Sequence, residues 1–184
     1  MSGSSGRQTK NLVADFTTHD DGRYNRPMTT AYLNNHFIVA MPGLAEEPFA
    51  NALCLICQHD EEGALGVILN QPTHLQVTDI FEQLELSDHN PAISKNVVMF
   101  GGPVQQDRGL VLHRPWHDDF ESSLTVSDNL SVTTSRDVLE MLASGEGPSD
   151  AVVAVGYAGW GMGQLEAELA DNAWLSIEAD TNIV

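Results

Sequence analysis

Eight short apolar runs, none longer than seven residues, set the limits on what this chain can fold into. They are "HFIVAM" (36–41), "LCLICQH" (53–59), "ALGVIL" (64–69), "NVVMF" (96–100), "GLVLH" (109–113), "LTVS" (124–127), "LSVTT" (130–134) and "AVVAVGY" (151–157). Their length and their content of valine, leucine and isoleucine mark them as strands. "AVVAVGY" is apolar at almost every position, as a strand covered on both faces must be. "DEEG" and "SDN" are too short to be anything but hairpin connections, so antiparallel pairing follows. Three helices fit between the strands: "TDIFEQLEL" from Thr78, "SRDVLEMLA" from Ser135 and "QLEAELADNAW" from Gln164. The second opens on Thr134 with Asp137 three residues on, an approximate capping box, and "SGEGP" closes it. Val138, Leu139 and Leu142 would form its buried face. Hairpins in place of regular crossovers predict a single α+β domain, with a strongly curled sheet flanked by a few helices.

At 184 residues the chain is sized for one core. Residues 1–27 are polar and aperiodic, with a Ser/Gly-rich start. They read as an appended leader or a disordered arm, and 28–184 as the domain, with Met28 as a natural start. The formal net charge is −18; the leader contributes +1, so the rest stands at −19. Only Lys95, Arg108, Arg114 and Arg136 are cationic there, against 23 carboxylates. A duplex-binding protein neutralises roughly 6–10 phosphates, so direct nucleic-acid contact is disfavoured and basic partners are favoured. No apolar run approaches the roughly 20 residues that cross a bilayer. Two cysteines and no secretory signal point to a reducing cytoplasm.

"GYAGWGMGQLEAELADNAW" (156–174) has the layout of strand, glycine turn and helix that can cradle a phosphate. The dinucleotide spacing fails at Gln164 and again at Glu166, and no Walker lysine follows. Glu166 and Glu168 already occupy the helix start, where an anion would otherwise sit. Leu165, Leu169 and Ala173 make a buried stripe, which leaves Gln164, Glu168 and Asp171 on or near the exposed side. Trp160, held among glycines, is then either a ligand or peptide contact or a packed side chain.

Taken in order, "HFIVAMPGL" (Met41, Pro42, Leu44), "CQHDEEGALGVILNQP" (His59, Gly63, Gly66, Asn70, Pro72), "GGPVQQDRGLVLH" (Gly101, Gly102, Pro103, Asp107, Arg108, Gly109, His113), "TTSRDVLE" and the Trp160 segment resemble the YqgE/AlgH family of bacterial proteins. The resemblance runs from about His36 to Asn182. It implies an α+β fold around a mixed, barrel-like sheet and a cytoplasmic protein of a family labelled as transcriptional regulators. No biochemical activity is attached to that family, so no catalytic residue carries over. Relatives continue beyond "ADTNIV" with a helical-looking segment, so a C-terminal part of the domain is expected to be missing at Val184.

Several constellations suggest chemistry. Cys54 and Cys57 are three apart on a strand and point to opposite faces, which denies them a shared metal or disulfide. Cys57 and His59, two apart, would share a face as nucleophile and base. His113 and His117 with Asp118, Asp119 and Glu121 offer ligand types for a divalent ion, but Pro115 breaks the helical spacing that would align them. Arg108, in so anionic a chain, should pair with Asp107 or a helix glutamate; alternatively Arg108, His59, His113 and Gln164 converge near Trp160 as a polar pocket for a small anion or peptide carboxylate. The reading is of a non-enzymatic regulatory protein that binds an unidentified protein or small ligand, with no cofactor and no metal. The alternative is a hydrolytic or thiol enzyme using His59 with Cys57 or the His113–Glu121 region. A direct DNA binder ranks last on charge.

Overall fold

The computed structural model describes residues 32–117 and 120–180. The leader (1–27), Met28, Asp118, Asp119 and the last four residues lie outside the described residues. The strands are β1 (His36–Ala40), β2 (Leu53–Asp60), β3 (Gly63–Ile68), β4 (Pro72–Gln76), β5 (Val97–Phe100), β6 (Val104–His113), β7 (Ser123–Ser127), β8 (Leu130–Thr133), β9 (Ala151–Gly161) and β10 (Trp174–Glu178). The helices are α1 (Val77–Gln83), α2 (Arg136–Ser144) and α3 (Gln164–Ala170).

The main path runs β10-β1-β2-β3-β9-β6-β8-β7, and β5 joins β9 to β4 beside it. All of these pairings are antiparallel except β5 with β9. The expectation of a mixed, strongly curled, barrel-like sheet is therefore corrected: the sheet is mostly antiparallel and open, neither closed nor strongly curled, and its ends β10 and β7 do not pair. The physical reason lies in β9. Its first half pairs with β6 and, in parallel, with β5, whereas Ala158–Gly161 pairs with β3. The change of partner falls at Gly156, which has φ +72 and would place a Cβ 2.3 Å from the Gly102 carbonyl oxygen. Only glycine tolerates that backbone and that approach. A hairpin-rich chain would close by rolling one sheet on itself; this one divides into branches instead.

Burial follows from the branching. On β2, Leu55 and Cys57 enter one core with Val67, Leu110, Leu112 and Val132, while Cys54 and Ile56 enter a second with Ala158, Trp160 and Leu165. Val111 and Val153 face a third, under α1 and α2, with Phe81, Val138 and Leu142. Strands covered on both sides explain the continuous apolar runs. α2 buries Val138, Leu139 and Leu142 as its pattern predicts, and Gly145 closes it with φ +81. Its N-cap is Ser135, one residue beyond Thr134.

Two strands escape the pattern. "PTHLQ" opens on proline and is polar; "WLSIE" begins on Trp174, the last residue of the helix expected from Gln164. That helix stops at Ala170 because Asp171 caps it and Asn172 takes φ +56. The glycine segment is corrected as well: through Gly161 it is strand, and only Met162 and Gly163 turn. Among the described residues no helix is long and apolar enough to cross a membrane.

Candidate functional site

The residues singled out in the sequence fall into three places along β9. His113 pairs with Ala151 at its start, Gly109, next to Arg108, pairs with Val155 near its middle, and Ala64 pairs with Trp160 at its far end. Nine residues of strand separate Ala151 from Trp160, about 30 Å at the usual rise. The expected convergence of Arg108, His59, His113 and Gln164 near Trp160 is therefore not formed. The structure gathers His59, Gln164 and Trp160, and leaves Arg108 and His113 elsewhere.

The first place is a network on α3. Glu168 Oε2 accepts from the indole N–H groups of both Trp160 (2.9 Å) and Trp174 (2.8 Å), while its Oε1 accepts from Gln164 Nε2 (2.9 Å). Gln164 Oε1 in turn accepts the Gly161 amide at 3.0 Å. The two indoles meet edge to face, centroids 5.9 Å apart. Trp160 is 6% exposed; its ring is packed, and its N–H is committed to Glu168. Glu168 is only half-buried, yet it turns inward, against the expectation that it faces solvent. His59 is buried. Its Nδ1 accepts the Leu33 amide (3.0 Å), so the ring proton sits on Nε2 and is donated to Glu166 Oε1 (3.1 Å). The helix-start acids thus serve the protein's own donors, and the amide a phosphate would use at Gly161 is already capped.

That arrangement removes the thiol constellation. A bulge between Ile56 and Gln58 shifts the register of β2 on β3. As a result His59 lies opposite Ala64 of the second core while Cys57 lies in the first. The expected shared face is corrected, because one inserted residue reverses every side chain after it. Both ring nitrogens of His59 are occupied, and burial pushes the Cys54 thiol well up and the Cys57 thiol up to about 12. Neither is a ready thiolate.

At the second place His113 is 2% exposed, with Nδ1 2.7 Å from the Arg114 carbonyl oxygen and Nε2 2.8 Å from the Thr133 hydroxyl. Burial holds it below the usual imidazole value, outweighing the Arg114 carbonyl. Its nitrogens are engaged, and among the described residues no three metal-ligating side chains cluster. Asp118 and Asp119 of the imagined metal set lie outside the described residues.

The third place is Arg108. Six residues of β6, Val104–Gly109, span only the three residues Val155–Tyr157 of β9, so Gln105–Arg108 bulge out. The guanidinium is exposed, and among the described residues it has no ion pair and no hydrogen bond, Asp107 and the helix glutamates included. Arg114 and Arg136, by contrast, are paired with Asp150 and Glu140. Arg108 lines two clefts. One, about 340 Å³, is walled by Leu65, Leu110, Leu124, Val132 and Tyr157 and rimmed by Ser122, Ser123 and Thr134. The other, about 360 Å³, is floored by Ile80, Leu84, Leu139, Val153 and Val155, with Arg136 at its side. An unpaired cation over apolar walls suits a ligand with an anionic head and an apolar body. The sequence signalled Arg108 by its rarity; it gave no sign of the serine and threonine rim, whose positions depend on β7 and β8 folding beside β6.

Comparison with known proteins gives a consistent picture. The AlgH-like (DUF179) family profile matches residues 37–184. A UPF0301 protein of Stenotrophomonas maltophilia strain K279a is 47% identical over 161 residues, 86% of this chain and 84% of the relative. One of Thiobacillus denitrificans is 48% identical over 157 residues, 85% and 84% of the two chains. The solution structure of the AlgH protein from Pseudomonas aeruginosa superposes with a TM-score of 0.72 at 40% identity, covering 88% of this chain and 84% of that one. A Corynebacterium diphtheriae protein at 20% identity and TM-score 0.62, covering 86% and 79%, shares the fold.

Proposed function

Because this chain belongs to the AlgH-like family, we propose that it is a cytoplasmic regulatory protein that acts by binding a small anionic, partly apolar ligand at Arg108, and not by contacting DNA. The observation that carries this reading is the unpaired guanidinium standing over two apolar clefts. Four cations against 23 carboxylates beyond the leader disfavour a polyphosphate, yet among the described residues Arg108 stays uncommitted. The clefts are at the lower end of the size range for small-molecule sites, enough for a short acyl or aryl body. A carboxylate in bidentate contact with Arg108 would supply direction, and the leucine, valine and tyrosine walls the burial.

Isothermal titration with octanoate tests this. The expected result is saturable binding to the full chain that Arg108→Gln weakens about 10–100-fold, as loss of a charged hydrogen-bond pair predicts, with no binding of octanol. Equal affinity of Arg108→Gln and the parent chain would overturn the assignment.

A further inference from the structure

Of the two clefts that Arg108 lines, the one of about 360 Å³ holds a second cation, Arg136. Two of the four positive side chains beyond the leader thus wall a single cavity, and Asp107 is the one acid among its described lining residues. Their meeting follows from the ladder. Thr133, at the end of β8, pairs with Val111, three residues past Arg108 on β6, and the antiparallel sense carries the chain leaving β8 toward the bulge. Arg136 opens α2 there, three residues after Thr133.

Other parts of the fold position both arginines. Gln105 takes a left-handed φ of +49, and Gln106 Nε2 donates to the Pro103 carbonyl oxygen at 3.3 Å, which shapes the bulge that carries Arg108. Arg136 is braced at two points. Its Nε donates to Glu140 Oε1 at 2.8 Å, and its Nη2 donates at 3.0 Å to the carbonyl oxygen of Leu84, the residue that caps α1. A guanidinium has five N–H donors, so three of those on Arg136 have no acceptor among the described residues. The side chain is 57% exposed, and a ligand can reach them. The floor of the cleft is apolar, with Ile80, Leu139, Val153 and Val155.

The head group that suits this pair differs from the one that suits Arg108 alone. A carboxylate has two oxygens and one charge, which a single bidentate guanidinium satisfies, leaving the donors of Arg136 to water. A phosphate monoester has three terminal oxygens and carries a charge of about −1.5 to −2 near pH 7, enough to engage two guanidinia. A nucleic-acid backbone would bring more negative charge than two arginines offset among 23 carboxylates; a single phosphate does not.

We propose that this cleft takes a phosphate monoester with a short apolar body, the phosphate held between Arg108 and Arg136 and the body lying on Leu139, Val153 and Val155. The proposal rests on the reading of Arg108 as the anion contact, and adds to it the head group and the second arginine.

Isothermal titration of the full chain at pH 7.5 with n-octyl phosphate, octanoate and inorganic phosphate tests it. n-Octyl phosphate should bind about tenfold or more tightly than octanoate, and inorganic phosphate, which has no apolar body, about tenfold or more weakly than n-octyl phosphate. Arg136→Gln should weaken n-octyl phosphate about 10–100-fold and octanoate less than about threefold. Glu140→Gln removes the competing carboxylate while the Leu84 carbonyl still holds Arg136, and should tighten n-octyl phosphate about threefold. This gain does not depend on a damaged variant, and thermal melting of Arg136→Gln, expected within a few degrees of the parent for an exposed ion pair, separates a lost contact from a lost fold. n-Octyl phosphate that binds no more tightly than octanoate, that binds no more tightly than inorganic phosphate, or that is indifferent to Arg136→Gln would overturn the proposal. Octanoate binding that still depends on Arg108 would then leave the underlying reading in place, whereas indifference of both ligands to Arg108→Gln would remove the two together.

Discussion

Replacing Glu168 with alanine tests the α3 network at its centre. One carboxylate oxygen accepts from two indoles, at 2.9 Å and 2.8 Å, and Trp160 and Trp174 are only 6% and 4% exposed. Truncation leaves both N–H groups buried without an acceptor, at about 1–3 kcal/mol each. Glu168 is half-buried, so water reaches part of the vacated space and the lower half of the sum applies, about 2–4 kcal/mol. For a body of this size that corresponds to a fall in Tm of roughly 5–15 °C. Glu168→Gln keeps one acceptor oxygen but sets an amide N–H₂ against that of Gln164, and should cost about 1 kcal/mol. Urea unfolding followed by tryptophan fluorescence reads both quantities, since the reporters are the residues concerned. A loss below about 0.5 kcal/mol for Glu168→Ala, within the range of an ordinary surface substitution, would refute the claim that the tryptophan pair depends on this carboxylate. A double-mutant cycle with Trp174→Phe should return a coupling of about 1–2 kcal/mol, the share of one charge-assisted bond.

Other outcomes follow from the same geometry. Cys54 and Cys57 should ignore a thiol reagent at pH 8 in the native protein and react fully in denaturant, because burial raises both thiols; native-state labelling would contradict it. Gly156→Ala should lose roughly 3–5 kcal/mol from the left-handed backbone and the contact with the Gly102 carbonyl, whereas Gly109→Ala, with nothing within 4 Å of its Cβ, should stay within about 0.5 kcal/mol; urea midpoints compare the two. His113 has a folded value below its unfolded 6.5, so in that window the unfolded chain binds more protons. Stability should be fully present above pH 6.5 and decline as pH falls through 6.5 toward the folded value; a Tm flat between pH 7.5 and 5, or one with the same slope in His113→Gln, would go against it.

How much of this could be read from the chain differs between elements for identifiable reasons. "AVVAVGY" showed its two-sided burial because continuous apolarity has few other solutions, and α2 showed its apolar face and its closing glycine. β10 was hidden, since the expected third helix ran on through Trp174 and "LSIE" was assigned to no element, whereas Asn172 takes a left-handed backbone just before the strand. The Cys57 and His59 pair looked sound on strand periodicity and failed on a bulge that periodicity cannot register. Arg108 was visible as a rare cation, but its standing apart from every carboxylate among the described residues was not.

By itself, then, the sequence determined the alternation of short strands and capped helices, the anionic surface and the kinship with AlgH-like proteins, because apolar spacing, turn residues and charge act over a few positions of chain. The tertiary structure decided that the sheet branches at Gly156 without closing, that Glu168 turns to two indoles, and that Arg108 stands on a bulge over two clefts. Those outcomes depend on register between strands far apart in sequence, where a one-residue bulge reverses the face of every side chain beyond it.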